Sequence, residues 1–204
     1  ESPIAFLQEE QYLAKINRIE INSNTTLSEA EVRDIVAGNV DLPSDILARL
    51  SADNYRNLQI VKEIREAVFS RRDSTLVFAT SIDHAFVLKF LLQKEGITSE
   101  CVLGETPSHI RRQAILDFKA GDLPVLLNYN VLTTGFDAPN LGTLVIARPT
   151  TSVILYSQML GRALRGPEMG GRNLTNTVVD LVDNEGRFGN EHGAFNYFLK
   201  YFNT

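Results

Sequence analysis

Five short, largely apolar runs constrain this chain more than any other feature. They are Thr75-Leu-Val-Phe-Ala79, Glu100-Cys-Val-Leu103, Val125-Leu-Leu127, Thr143-Leu-Val-Ile-Ala147 and Thr177-Val-Val-Asp-Leu-Val182. A strand with one wet face alternates polar and apolar residues; these runs mostly do not, so both of their faces must be covered. Helical patterns separate them. Residues 82 to 94 carry Ala85, Val87, Leu88, Leu91 and Leu92 at helical spacing. Thr106 reads as an N-cap with Pro107 at the first helical position, opening a helix through Phe118. Apolar strands alternating with helices predict an α/β domain, a parallel sheet with helices on both faces. In such sheets ligands gather at the carboxyl ends of the strands, so loops that follow strands are the places to look for chemistry.

The first 72 residues read differently. Asn17-Arg-Ile-Glu-Ile-Asn22 alternates with period two, as a strand does. Ser28-Glu-Ala-Glu31 is a capping box that opens a helix ending near Gly38. Pro43 suits the first turn of a short helix. Residues 53 to 70 form an amphipathic helix with Leu58, Val61, Ile64, Ala67 and Val68 on its apolar face. The expected division is therefore a mainly helical amino-terminal segment, residues 1–72, and an α/β domain, residues 73–204. A length of 204 residues suits one domain with an appendage.

Two segments combine residue types that bind phosphate. Gln158-Met-Leu-Gly-Arg-Ala-Leu-Arg165 sets Arg162 and Arg165 three apart, which on a helix places both on one face. A planar, permanently charged fork suits phosphate oxygens and the charge that develops on them in phosphoryl transfer. Upstream lies Thr133-Thr-Gly-Phe-Asp-Ala-Pro139, where two hydroxyls and the open main chain of Gly135 can meet a phosphate. Asp137 is a fixed acceptor there, for a ribose hydroxyl or for an arginine. Each segment has a plain reading too: a solvated helix face, and a turn with capping Thr and Asp side chains. The chain holds no Gly-x-x-x-x-Gly-Lys-Ser/Thr phosphate loop and no Asp-Glu pair after an apolar strand.

Taken together, order and spacing resemble the second RecA-like lobe, the helicase C-terminal domain, of superfamily 2 helicases with P-loop NTPase-type folds. Thr75-Leu-Val-Phe-Ala-Thr-Ser81 is similar to motif IV, and residues 104 to 118, with Arg111, Arg112 and Phe118, to the Gly-x-Thr…Arg…Phe segment that follows. Residues 128 to 139 resemble motif V and residues 158 to 165 motif VI. The likeness is closer to the type III restriction and UvrB-like DNA helicases, among the DEAD/DEAH-like enzymes, than to DEAD-box RNA helicases. Those carry His-Arg-x-Gly-Arg-x-Gly-Arg where this chain has Tyr156-Ser-Gln-Met-Leu-Gly-Arg-Ala-Leu-Arg. Their motif V opens Ala-Thr-Asp where this chain has Asn128-Tyr-Asn130.

The resemblance implies that Arg162 and Arg165 are arginine fingers for ATP held with Mg²⁺ by a first lobe of the same polypeptide. It places Gln158 at the same interface and Gly135 and Asp137 near the nucleotide. It implies that Thr80, Ser81, and Thr133 or Thr134, touch a nucleic-acid backbone, DNA rather than RNA. The alternatives are a non-catalytic helicase-like module that binds nucleic acid or a protein partner, and a flavodoxin-like cofactor domain. The latter needs a glycine in its first βα turn, and Ala79-Thr-Ser-Ile-Asp83 has none.

Net charge is −5, which argues against strong autonomous binding to nucleic acid. One cysteine, Cys101, excludes an internal disulfide and suits a reducing, cytoplasmic compartment. There is no apolar run of membrane-spanning length and no secretory pattern at Glu1-Ser-Pro, and the missing initiator Met reads as a fragment. His84, His109 and His192 lack ligand spacing. Arg148-Pro-Thr-Thr-Ser152 offers hydroxyls to cap the next helix, Ser152 first among them. Asp180 and Asp183 suit salt bridging, residues 166 to 172 a flexible loop, and the aromatic set Tyr197, Phe198, Tyr201 and Phe202 packing onto the sheet.

Overall fold

The structure, a computed structural model, describes residues 3–22, 28, 30–31, 42–132, 136–150 and 152–182. Thr133, Thr134, Gly135, Asp183, His192 and the aromatic set of residues 197 to 202 lie outside the described residues.

The elements run α1 (Pro3–Glu9), β1 (Lys15–Asn22), α2 (Ser44–Ala52), α3 (Asn54–Arg65), β2 (Ser74–Phe78), α4 (Ile82–Lys94), β3 (Ser99–Val102), α5 (Ser108–Ala120), β4 (Val125–Asn128), β5 (Leu141–Ile146), α6 (Val153–Leu160) and β6 (Thr175–Val182). The six strands form one sheet in the order β1-β6-β5-β2-β4-β3. Every pairing is parallel. Side chains alternate across it. Leu76, Phe78, Leu126 and Val178 enter one apolar layer with Phe118 of α5 and Leu160 of α6. Val77, Val145 and Val179 enter the other, with Ile60 and Ile64 of α3 and Leu88 of α4. Both faces are covered, which is why the strands tolerate almost no polar alternation.

The boundary expected at residue 72 does not divide the sheet. β1 pairs in register with β6 from Lys15↔Thr175 to Asn22↔Val182, so the amino-terminal segment supplies an edge strand. Its alternation follows from the two faces of the strand: Ile19 and Ile21 pack into the second apolar layer, while Glu20 between them points to the opposite face and is exposed.

Local signals fared unevenly. The capping box is formed: the Ser28 N–H donates to Glu31 Oε2 at 2.7 Å, and the Glu31 N–H to Ser28 Oγ at 3.3 Å. Asp53 caps α3 by accepting the Arg56 N–H, and the helix continues to Arg71 through a π-helical turn. Leu58 and Val87, expected on apolar faces, are exposed, while Ile60 takes a core position. The N-cap of α5 is Pro107, and Thr106 instead turns its hydroxyl back to accept the Leu103 N–H at 2.9 Å. Gly121 ends that helix at φ 88°, a conformation that costs glycine little.

Candidate functional site

Helix α6 stops at Leu160, so Arg162 and Arg165 do not share a helix face. The Arg162 N–H bonds Met159 O at 3.1 Å and the Ala163 N–H bonds Leu160 O at 2.8 Å, tightening the chain into a turn. Arg165 then lies in an antiparallel bridge with Leu13. The two side chains nonetheless converge. Arg162 donates through Nη1 to the Phe136 carbonyl and through Nε to Gln158 O at 3.3 Å. Arg165 Nη1 lies 2.7 Å from Asp137 Oδ1, with 37% of the arginine side chain and 48% of the aspartate exposed. Burial pushes the Arg162 guanidinium below its ordinary value; Asp137 opposes this and the Arg165 charge adds to it. Gln158 is half-buried at the end of α6 and serves the turn through its carbonyl.

The segment that carries Asp137 is anchored at both ends by asparagines that sequence reasoning passed over. Asn128 is fully buried; its Nδ2 donates to Val77 O at 2.9 Å and its Oδ1 accepts the Leu132 N–H at 3.4 Å. Asn140 Nδ2 donates to Ser74 Oγ at 2.8 Å and to Phe118 O at 2.6 Å. Ser74 opens β2, so this second anchor sits at the amino ends of the strands. Arg165 is there as well: the Ala14 N–H, just ahead of β1, bonds Leu164 O at 2.9 Å. Loops at carboxyl ends were expected to carry the site. The guanidinium pair instead lies at the opposite end, because α6 runs antiparallel to the strands and returns the chain there.

Tyr156 of α6 is pinned to the sheet. Its hydroxyl donates to Asp180 Oδ2 at 2.9 Å, and Arg18 Nη2 of β1 reaches the same oxygen at 2.8 Å. Burial pushes the Asp180 carboxyl up, while Arg18 and Tyr156 pull it down. Asp180 is thus a structural ion-pair partner. Ser152 caps α6, accepting the Leu155 N–H at 3.2 Å. Residues 166 to 172, expected to be flexible, hold a 3₁₀ turn at Pro167–Met169 tied by backbone hydrogen bonds to residues 11, 12 and 139.

Thr80, expected to touch nucleic acid, has no exposed surface. Its N–H donates to His84 Nδ1 at 3.1 Å and its hydroxyl lies 2.9 Å from the same atom. Since an N–H only donates, Nδ1 accepts and the ring proton sits on Nε2, bonding Asn57 Oδ1 at 2.9 Å. Asn57 Nδ2 in turn donates to Ser51 O at 2.8 Å. A fully buried Arg56 beside this chain of bonds donates to Ala147 O. Ser81, by contrast, is half-exposed and caps α4 by accepting the His84 N–H at 3.0 Å. The cue missed in the sequence is a histidine three residues after a capping serine.

Burial first, then the Arg56 charge, lowers His84 to about 3 from 6.5. The unfolded chain therefore binds a proton in acid that the native state refuses. The His84 contribution to stability is complete above pH 6.5 and is lost toward pH 3, at no more than about 1.4 kcal/mol per pH unit. His84→Gln should flatten that slope in urea unfolding measured from pH 7 to pH 4. An identical slope in the variant would mean that His84 is not the titrating group.

A model of the helicase conserved C-terminal domain matches residues 57–167. The chain is 45% identical over 114 residues to irc3, a candidate mitochondrial ATP-dependent helicase of Schizosaccharomyces pombe, covering 56% of this chain and 18% of that protein. A candidate ATP-dependent helicase of Saccharomyces cerevisiae, IRC3, is 33% identical over 129 residues, covering 56% of this chain and 19% of that protein. The E. coli DEAD-box protein SrmB, solved bound to regulator of ribonuclease activity A, superposes with a TM-score of 0.56 at 17% identity. That match covers 88% of this chain and 85% of that one and concerns the fold. The chain spans less than a fifth of the length of these two helicases.

Proposed function

This chain belongs to the helicase conserved C-terminal domain family, as the second RecA-like lobe of a superfamily 2 helicase, and we propose that it completes an ATP site whose other wall is a first lobe in the same polypeptide. The observation that carries this reading is the convergence of Arg162 and Arg165 on Phe136 and Asp137. A lobe with its own nucleotide would hold it at the carboxyl ends of its strands, on a phosphate loop. This one presents two guanidinium groups at the other end of the sheet, an arrangement suited to donation across a cleft. ATP would lie against Arg162, Arg165 and Gln158, with Gly135 and Asp137 toward the ribose. On closure, the arginines would stabilise the charge on the transferring phosphoryl group.

Mg²⁺ would be held by the first lobe in this reading, through one or two carboxylates and the phosphates of the nucleotide. The segment of residues 1–72 would lead in from that lobe. The track is DNA, favoured by the departures from the DEAD-box motifs at residues 128 to 130 and 156 to 165. Ser81 and Thr133 or Thr134 stay as contacts to its backbone; Thr80, being buried, does not.

The 204-residue chain alone should hydrolyse no ATP above background, because it has no phosphate loop. Turnover by the purified chain, with contaminants excluded, would end the shared-site reading. Strand displacement by the full-length protein on matched DNA and RNA duplexes tests the track.

A further inference from the structure

We propose that the main chain of residues 11–14 positions Arg165 for phosphoryl transfer, so that the segment ahead of β1 sets how the finger is presented. This rests on the finger reading above and adds a positioning element outside the stretch that the family model matches, residues 57–167.

Past Leu160 the arginine turn has little periodic structure of its own. Three backbone hydrogen bonds tie it to this strap. The Ala14 N–H donates to Leu164 O at 2.9 Å, the Gly166 N–H to Tyr12 O at 3.1 Å, and the Glu168 N–H to Gln11 O at 3.1 Å. Between them, Leu13 bridges Arg165 itself. The crossing is close. A Cβ on Gly166 would collide with the Gln11 carbonyl and crowd Tyr12, so only glycine fits there without a shift of the main chain. Gln11 adopts φ 59°, a left-handed conformation that a non-glycine residue keeps only where its surroundings enforce it. The Arg165 side chain reaches Asp137 from a backbone frame that the strap defines, and a displacement of about 1 Å at a reacting group can cost about 100-fold in rate.

The test uses the full-length protein. Gly166→Ala should lower kcat for ATP by about 100-fold, leave KM for ATP within about twofold, and cause no further loss in an Arg165→Ala background. Glu168→Pro removes the N–H that Gln11 accepts without adding bulk at the crossing; it should act in the same direction and is the deciding variant if Gly166→Ala does not fold. Thermal midpoints report folding. Parental kcat in a folded variant overturns the proposal, as does an equal loss when Arg165 is already alanine. If Arg165→Ala itself leaves kcat unchanged, the finger reading falls and this one with it. If Arg165→Ala lowers kcat while the folded Gly166 or Glu168 variant does not, only the strap is overturned.

Discussion

Arg165→Ala in the full-length protein is expected to lower kcat for ATP by about 10³-fold, with the fold intact. Among the described residues the side chain makes one ion pair, to a half-exposed aspartate, and keeps 37% of its own surface open to solvent. Exposed pairs of this kind contribute about 0–1 kcal/mol to stability, so its removal should barely move the thermal midpoint. A guanidinium that contributes so little to folding is free to act elsewhere. Arg165→Lys retains the charge but loses the planar fork and should recover only part of the rate. Arg162→Ala should also lower kcat, with a measurable loss of stability, because Arg162 ties the turn to the Phe136 carbonyl. Steady-state ATPase assays with saturating nucleic acid read both effects. Parental rates in both alanine variants would leave the finger assignment untenable.

Asp180→Ala is expected to destabilise the fold by about 3 kcal/mol. Asp180 is 5% exposed and accepts from Arg18 on β1 and Tyr156 on α6. Truncation removes at once the acceptor shared by a buried phenol and by a largely buried guanidinium whose other ion pair is to Glu20. Asp180→Asn still offers an oxygen to Tyr156 and should cost less. Because Tyr156 precedes the arginine turn by six residues, the alanine variant should lose ATPase activity along with stability. Urea midpoints at neutral pH measure the cost; a loss below about 1 kcal/mol would show that this junction does not hold α6 to the sheet.

Most of the sheet was legible because its central strands are buried on both faces and so read as apolar runs. β1 was legible as a strand but not as part of this sheet. Its partner β6 starts 160 residues after β1 does, at Thr175 against Lys15, and nothing local encodes that pairing. The arginine pair was legible as chemistry and misjudged as geometry. Gly161 already hinted that the helix ends before Arg162, and the convergence arises through Phe136 and Asp137 instead of through helical periodicity. Thr80 looked like a loop hydroxyl after a strand. It is buried because His84, one helical turn away, accepts its main-chain proton. His84 lacks ligand spacing in the sequence, and its structural use is invisible there without Asn57 from a distant helix. Asn128 and Asn140 show why loop anchors escape such reading: each bonds groups more than 20 residues away in the chain.

The central claim is that these arginines act on the transition state of ATP hydrolysis. Its most direct measurement compares the affinity of full-length parent and Arg165→Ala proteins for ADP–aluminium fluoride with that for a non-hydrolysable ATP analogue. A finger should cost the variant about 10²-fold or more in affinity for the transition-state mimic and little for the ground-state analogue. Equal affinity of both proteins for ADP–aluminium fluoride would contradict the claim.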